Sequence, residues 1–201
     1  MSSTANGEPS SDHRLASSTP TNNHGTPWLL ADRLRYTQDI VLKSYLVDPS
    51  KFDFDNVVID KKAIEKVDPH RFELALLDGI LLSEEEYAVG YKDIPEDAFW
   101  VRGHFPGKPI MPGVLVCECA AQLSSYFAMT NGMVDPDGYV GLGGLESIRF
   151  RGPVVPGDRL LLMLRRGKVR RNAMFTADFQ GWVGDTLVID GLIKGIVLNE
   201  S

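Results

Sequence analysis

"PGVLVCECAAQLSSYFAMTNG", Pro112 to Gly132, decides how this chain folds. Its residues are apolar or small on nearly every face at helical spacing. That predicts one long helix, buried rather than lying on a surface. Pro112 suits the first helical position, where its missing N–H would be unpaired anyway. Asn131-Gly132 supplies the C-terminal stop. Glu118 and Gln122 break the apolar pattern, and at i,i+4 they share one face. A buried carboxylate needs a reason. Cys117 and Cys119 point about 200° apart on a helix, so they share neither a metal nor a disulfide and read as small core residues.

The region after the helix is β-rich. From Gly138 onward, apolar runs are cut by turn signals. Val155-Pro156-Gly157-Asp158 fits a type II turn, and "WVGDTLV" fits a hairpin tip. No stretch there is long enough for helical crossovers, so the strands are expected to be antiparallel. Before the helix, "RFELALLDGILLSEEEYAVGYKDI" predicts two strands around a solvated Ser-Glu-Glu-Glu turn, with a bulge at Gly90. "DKKAIEKVDPH" predicts a short helix stopping near Asp68, because the residue before proline avoids helical angles. The fold class is α+β, a sheet wrapped around one long buried helix.

Residues 1–26 are Ser, Thr, Asn, Pro and Gly with few large apolar side chains, and predict disorder. His13 and His24 lie there and are set aside. Residues 27–59 read as an extension, partly helical over Trp28–Leu46 and looped through "DPSKFDFDN". Residues 60–201 form the main domain. With 201 residues, 43% apolar, the chain supports one sizeable core. A net charge of -6 gives no reason to expect nucleic-acid binding. No apolar run is long enough for a membrane span. The first residues lack the apolar core of a secretory signal, so a cytoplasmic location is expected.

"GHFPGKPIMPGVLVCE", Gly103 to Glu118, leads into the long helix. Pro106, Pro109 and Pro112 fix their own φ angles and restrict their predecessors. The loop is therefore shaped, and it ends at a helix start whose free N–H groups favour negative charge. Glu118 follows Gly113 by five residues, about 7.5 Å along the axis. These parts match the needs of a β-elimination of water next to a thioester. His104 is the candidate base, the Gly113 N–H the oxyanion donor, and Glu118 the acid. The acid role needs a protonated Glu118 near neutral pH, which burial in an apolar helix face would favour.

"GHFPGKPIMPGVLVCECAAQ" resembles the active-site segment of FabZ-type 3-hydroxyacyl-acyl carrier protein dehydratases. It matches every fixed position of GHFPxxPIMPGVLxxExxxQ. "IRFRGPVVPGDRL" resembles the family's second signature, and "DPHRFELALLDGI" resembles a degraded form of its PHRxPFLLVDRV opening. The resemblance spans roughly Asp60 to Leu198. It implies the hotdog fold, His104 as catalytic base, Glu118 as the second catalytic group, Gly113 as the amide that polarises the thioester, and Gln122 as the residue that orients Glu118. It implies an acyl carrier protein substrate and no metal or organic cofactor. The minimal active unit it implies is a homodimer in which the His and Glu of one site come from different subunits; a hexamer is the larger assembly to be considered. Related FabA-type dehydratase-isomerases carry Asp at the position of Glu118.

Glu73-Leu74 replaces the Pro-Phe pair of the family opening, in a stretch that borders the acyl tunnel there. This departure leaves open a dehydratase or hydratase of a specialised lipid or polyketide pathway. A non-catalytic hotdog scaffold is the reading from a different class, and His104, Glu118 and Gln122 argue against it. The basic run Arg165, Arg166, Lys168, Arg170 and Arg171 is the candidate docking face for an acidic carrier protein. Its other reading is a solvated hairpin with alternating charges.

Overall fold

The computed structural model describes residues 45–199. The tail expected over residues 1–26, and residues 28–44 of the expected helix Trp28–Leu46, lie outside that range. Tyr45 and Leu46 are not helical.

The elements, in chain order, are β1 (Ile59–Asp60), α1 (Lys61–Ile64), β2 (Gly79–Ser83), β3 (Tyr87–Asp93), α2 (Gly113–Thr130), β4 (Gly138–Phe150), β5 (Arg159–Arg170), β6 (Met174–Val183) and β7 (Thr186–Asn199). The strands form one seven-stranded sheet in the order β1-β2-β3-β5-β6-β7-β4. Every neighbouring pair is antiparallel, as the lack of crossover helices predicts.

The centre of the sheet shows why α2 is held inside it. Leu160 to Leu164 of β5 is a continuous apolar run, the pattern of a strand covered on both faces. Leu160, Leu162 and Leu164 join the core that holds Leu123 and Phe127 of α2. Leu161 and Met163 point the other way, into a second cluster with Val47, Leu81, Val89 and Trp182. Each such buried side chain contributes about 1.5–3 kcal/mol. The outer cover comes from residues before β1. Tyr45 packs on Trp182 with ring centroids 4.1 Å apart, and the Leu46 N–H donates to Gln180 Oε1 at 2.7 Å.

Several local expectations shift by a few residues. Pro112 is the N-cap of α2 rather than its first helical residue, and its φ of -55° still sets the entry. Burial of α2 begins only at Val116, and Val114 is 74% exposed. Asn131 caps the C-terminus and Gly132 takes φ +68°, so the Met133 N–H reaches back to the Ala128 carbonyl at 3.1 Å. α1 ends at Ile64, and a hydrogen-bonded turn carries the chain on to Asp68. The bulge lies at Leu81 of β2, between the Ile80–Gly90 and Leu82–Val89 pairs, not at Gly90. Gly90 answers a packing need, because a Cβ there would sit 3.0 Å from Leu123 Cδ1.

The type II turn and the hairpin tip are both present. Gly157 has φ +89° and the Asp158 N–H donates to the Val155 carbonyl at 3.1 Å. Gly184 and Asp185 join the paired residues Val183 and Thr186. The first of these turns also positions the loop ahead of α2: the Met111 N–H donates to the Val154 carbonyl at 2.8 Å, and Gly157 and Asp158 exchange hydrogen bonds with Ile94.

Candidate active site

The loop before α2 holds His104 through the main chain. The His104 N–H donates to the Trp100 carbonyl at 2.9 Å, and the Ile110 N–H donates to the His104 carbonyl at 2.8 Å. Phe105 and Lys108 exchange both of their N–H···O bonds across Gly107, whose φ is +73°. His104 Nδ1 lies 2.7 Å from the Ile110 carbonyl oxygen. A carbonyl only accepts, so Nδ1 carries the proton in that contact. The neutral ring then presents its lone pair at Nε2, the form a base requires.

His104 lines a cavity of about 370 Å³ together with Gly113, Val116, Phe150 and Val154. Gly113 opens α2, where the first N–H groups have no intrahelical acceptor. A Cβ at Gly113 would sit 2.6 Å from the Phe150 ring. Glycine therefore lets a helix start, an aromatic ring and an open cavity meet.

Glu118 sits about 140° around the helix from Gly113, given five residues at 3.6 per turn. It lines a separate, smaller cavity of about 50 Å³ with His70, Ser125, Val140 and Leu142. Gln122 is 2% exposed and its amide is pinned from both sides. It accepts from the Leu76 N–H at 3.0 Å, donates to the Leu74 carbonyl at 2.8 Å and donates to Glu118 Oε1 at 2.8 Å. The expected pairing of Gln122 with Glu118 is thus present. His104 and Glu118 of one chain, by contrast, face different cavities.

His70 is the site residue that the sequence reading passed over. Its Nε2 lies 3.3 Å from Glu118 Oε1. The only signal for it was its place in "DPHR", within the stretch resembling the family opening. The contact overturns one expectation. A His70 hydrogen bond lowers the Glu118 carboxyl below its ordinary value, against the upward push of burial. The same bond raises His70 above the usual imidazole value. Glu118 at rest is therefore the charged partner, not the neutral acid that burial alone would make.

Both cysteines are free and buried, and burial raises both thiols. Three of the five basic residues of the candidate docking face have intrachain partners: Arg165 with Asp178 at 2.9 Å, Arg166 with Glu85 at 3.3 Å and Arg171 with Asp135 at 2.8 Å.

The FabA-like domain family matches this chain over residues 68–191. A 3-hydroxyacyl-[acyl-carrier-protein] dehydratase FabZ from Thermomicrobium roseum is 40% identical over 139 residues, 69% of this chain and 92% of that protein. The FabZ of Campylobacter jejuni is 36% identical over 147 residues, 71% of this chain and all of its own length. Among solved structures, the dehydratase heterocomplex ApeI:P from Xenorhabdus doucetiae aligns with TM-score 0.57 at 12% identity, covering 68% of this chain and 91% of that one. Cj0977, a sigma28-regulated virulence protein from Campylobacter jejuni, aligns with TM-score 0.52 at 14% identity, covering 70% and 90%. At such identities these two structures speak for the hotdog fold alone.

Proposed function

The chain belongs to the FabA-like family as a FabZ-type member, and from that premise we propose that it dehydrates (3R)-3-hydroxyacyl-acyl carrier protein to the trans-2-enoyl thioester in fatty acid biosynthesis. The observation that carries the residue-level reading is the His104 ring, whose Nδ1 is committed to the Ile110 carbonyl while Nε2 stays available. His104 Nε2 removes the proton next to the thioester carbonyl. The Gly113 N–H, at the positive end of α2, stabilises the oxygen that gains charge. Glu118, oriented by Gln122, delivers a proton to the departing hydroxyl, which leaves as water.

A site shared by two chains fits the separation of these groups. Glu118 faces Val140 and Leu142 of β4, and β4 is a sheet edge. That edge exposes Tyr139, Leu142, Leu145 and Phe150. An unpaired edge with exposed apolar side chains favours pairing with another strand. We assign it to a second copy, whose His104 would complete the site around Glu118. Lys168 and Arg170 are the members of the basic run without an ion-pair partner among the described residues, and they remain the docking candidates for an acidic carrier protein.

Mixing inactive variants tests both halves of this reading. His104→Ala and Glu118→Gln should each lose about 10²–10⁴-fold in enoyl-thioester hydration. Unfolding and refolding them together should restore activity, because one site of each mixed dimer recovers both groups. Full activity in either variant alone would reject the residue roles. Two dead variants with no recovery on mixing would reject the shared site. Comparing carrier-protein and coenzyme A thioesters of several chain lengths addresses the altered opening, where Phe72 takes φ +57° and is 89% exposed.

A further inference from the structure

Behind Glu118 lies a second carboxylate that the proposed reaction does not use. Asp68 is 3% exposed, yet neither of its oxygens makes a hydrogen bond. His70 Nδ1 is likewise buried and without a partner. A buried polar atom left unpaired costs about 1–3 kcal/mol, and more if charged, so three of them in one place need an explanation. Arg71 does not supply it. Its Nη1 donates to the main-chain carbonyls of Asp68 and His70, both at 2.7 Å, and so braces the segment without serving the carboxylate. The Ser125 hydroxyl is placed 3.9 Å from the Met129 sulfur. Two donors neighbour Asp68: the Ser125 hydroxyl, whose contact pulls the carboxyl down, and His70, whose buried Nδ1 has no partner and lies on the opposite side of the ring from the nitrogen that faces Glu118.

We propose that Asp68 is a positioning residue for Glu118, acting through His70: it receives the Nδ1–H and holds the ring as an imidazolium whose Nε2–H points at Glu118. The inference rests on the dehydratase reading and deepens it. It also answers how a carboxylate that is charged at rest delivers a proton. The His70 Nε2–H bond breaks as an O–H bond forms on Glu118. That proton passes to the substrate hydroxyl oxygen as its C–O bond breaks, and the oxygen leaves with the electron pair as water. His70 regains a proton from solvent, and His104 releases to solvent the proton it took from carbon, so the protons balance.

The surrounding charges agree with this order. Burial pushes the Asp68 carboxyl up to about 6, while contacts from Ser125, His70 and Arg71 pull it down and the Glu118 charge adds to the rise. His70 is raised by its bond to Glu118 first and by the Asp68 charge after that, against burial and the Arg71 charge. Glu65 lines the same small cavity as Asp68 and His70, and the Tyr126 hydroxyl is raised by burial and by Asp68.

The test is an NMR titration of the His70 ring in the full chain, assigned with a His70→Gln variant. In wild type His70 should titrate above 6.5. With Glu118→Gln it should fall, and adding Asp68→Asn to that variant should lower it further, because Asp68 still faces the ring when Glu118 is neutral; no further fall in the double variant would overturn the proposal. With Asp68→Asn the drop should be about one pH unit, and Asp68→Glu should recover it. In kinetics Asp68→Asn should move the alkaline limb of the kcat profile down by a similar interval with KM held. A uniform loss of kcat at every pH would instead mark a merely structural role. If the wild type shows no dehydratase or hydratase activity, the functional reading fails, and the His70 titration still decides whether Asp68 holds the imidazolium.

Discussion

The two ends of the site are held by different means. His104 is fixed by its own loop, with the ring, the N–H and the carbonyl all bonded to main chain between Trp100 and Ile110. Glu118 is fixed by side chains, Gln122 at 2.8 Å and His70 at 3.3 Å. A main-chain clamp settles the orientation of a group. A side-chain cluster also settles where its proton resides, because its members titrate together. The first end is thus a matter of shape and the second a matter of charge.

The largest expected difference between the ends is in His104→Ala. Activity should fall by roughly 10³-fold, with the melting temperature close to wild type, because the main-chain bonds remain. A large drop in melting temperature would show that the ring supports the loop after all.

Next is the pH dependence of stability, which belongs to the Glu118 end. Asp68 is raised from 3.8 to about 6, so its contribution is present below 3.8 and lost as pH climbs through about 6. His70 is raised above 6.5, so its contribution is full below 6.5 and lost as pH climbs through its folded value. Glu118 is lowered from 4.5, so its contribution is full above 4.5 and lost on acidification. Melts taken from about pH 5 to pH 8 should show declining stability, on the order of 1.4 kcal/mol from the Asp68 shift alone, because the rest of its loss falls between about pH 3.8 and pH 5. Asp68→Asn should flatten that decline; an equally steep decline in the variant would remove Asp68 from the cluster.

Gln122→Leu should follow, at about 2 kcal/mol of lost stability, since the Leu76 N–H loses its acceptor and the Leu74 carbonyl its donor. A loss in activity greater than the loss in folded protein would sharpen its orienting role. The smallest effect is expected for Gly113→Ala, roughly tenfold in rate. The added Cβ meets the end of the Phe150 side chain, 2.6 Å away. Phe150→Ala in the same chain should return most of the rate; no recovery would point to the helix start itself.

Much of this fold is legible in the sequence because its signals are local. The apolar surface of α2, the Pro-Gly-Asp turn and the Gly184-Asp185 hairpin each depend on residues a few positions apart. The bulge was misplaced for the opposite reason. Gly90 has a bulge-like composition, but the side chain opposite it, Leu123, decides what the glycine is for. His70 stayed hidden likewise: it lies 48 residues before Glu118 and reads locally as the end of a helical turn. The unbroken run Leu160–Leu164 hinted that both faces of β5 are covered, yet nothing periodic in "YLVDPSKF" marks that segment as the cover.

That cover has a consequence for the order of assembly. Tyr45 and Leu46 leave the ribosome long before Gln180 and Trp182, the residues they dock on. Until β6 is made and paired, Tyr45 and Leu46 lack these partners, although Val47 can already meet Leu81 and Val89. Leu161 and Met163 must then wait uncovered on the outer face of a half-built sheet, the kind of surface on which nascent chains aggregate. Closing the outer face is accordingly among the last events of folding, and a chain cut just after Phe52 would reach the end of synthesis with that surface still bare.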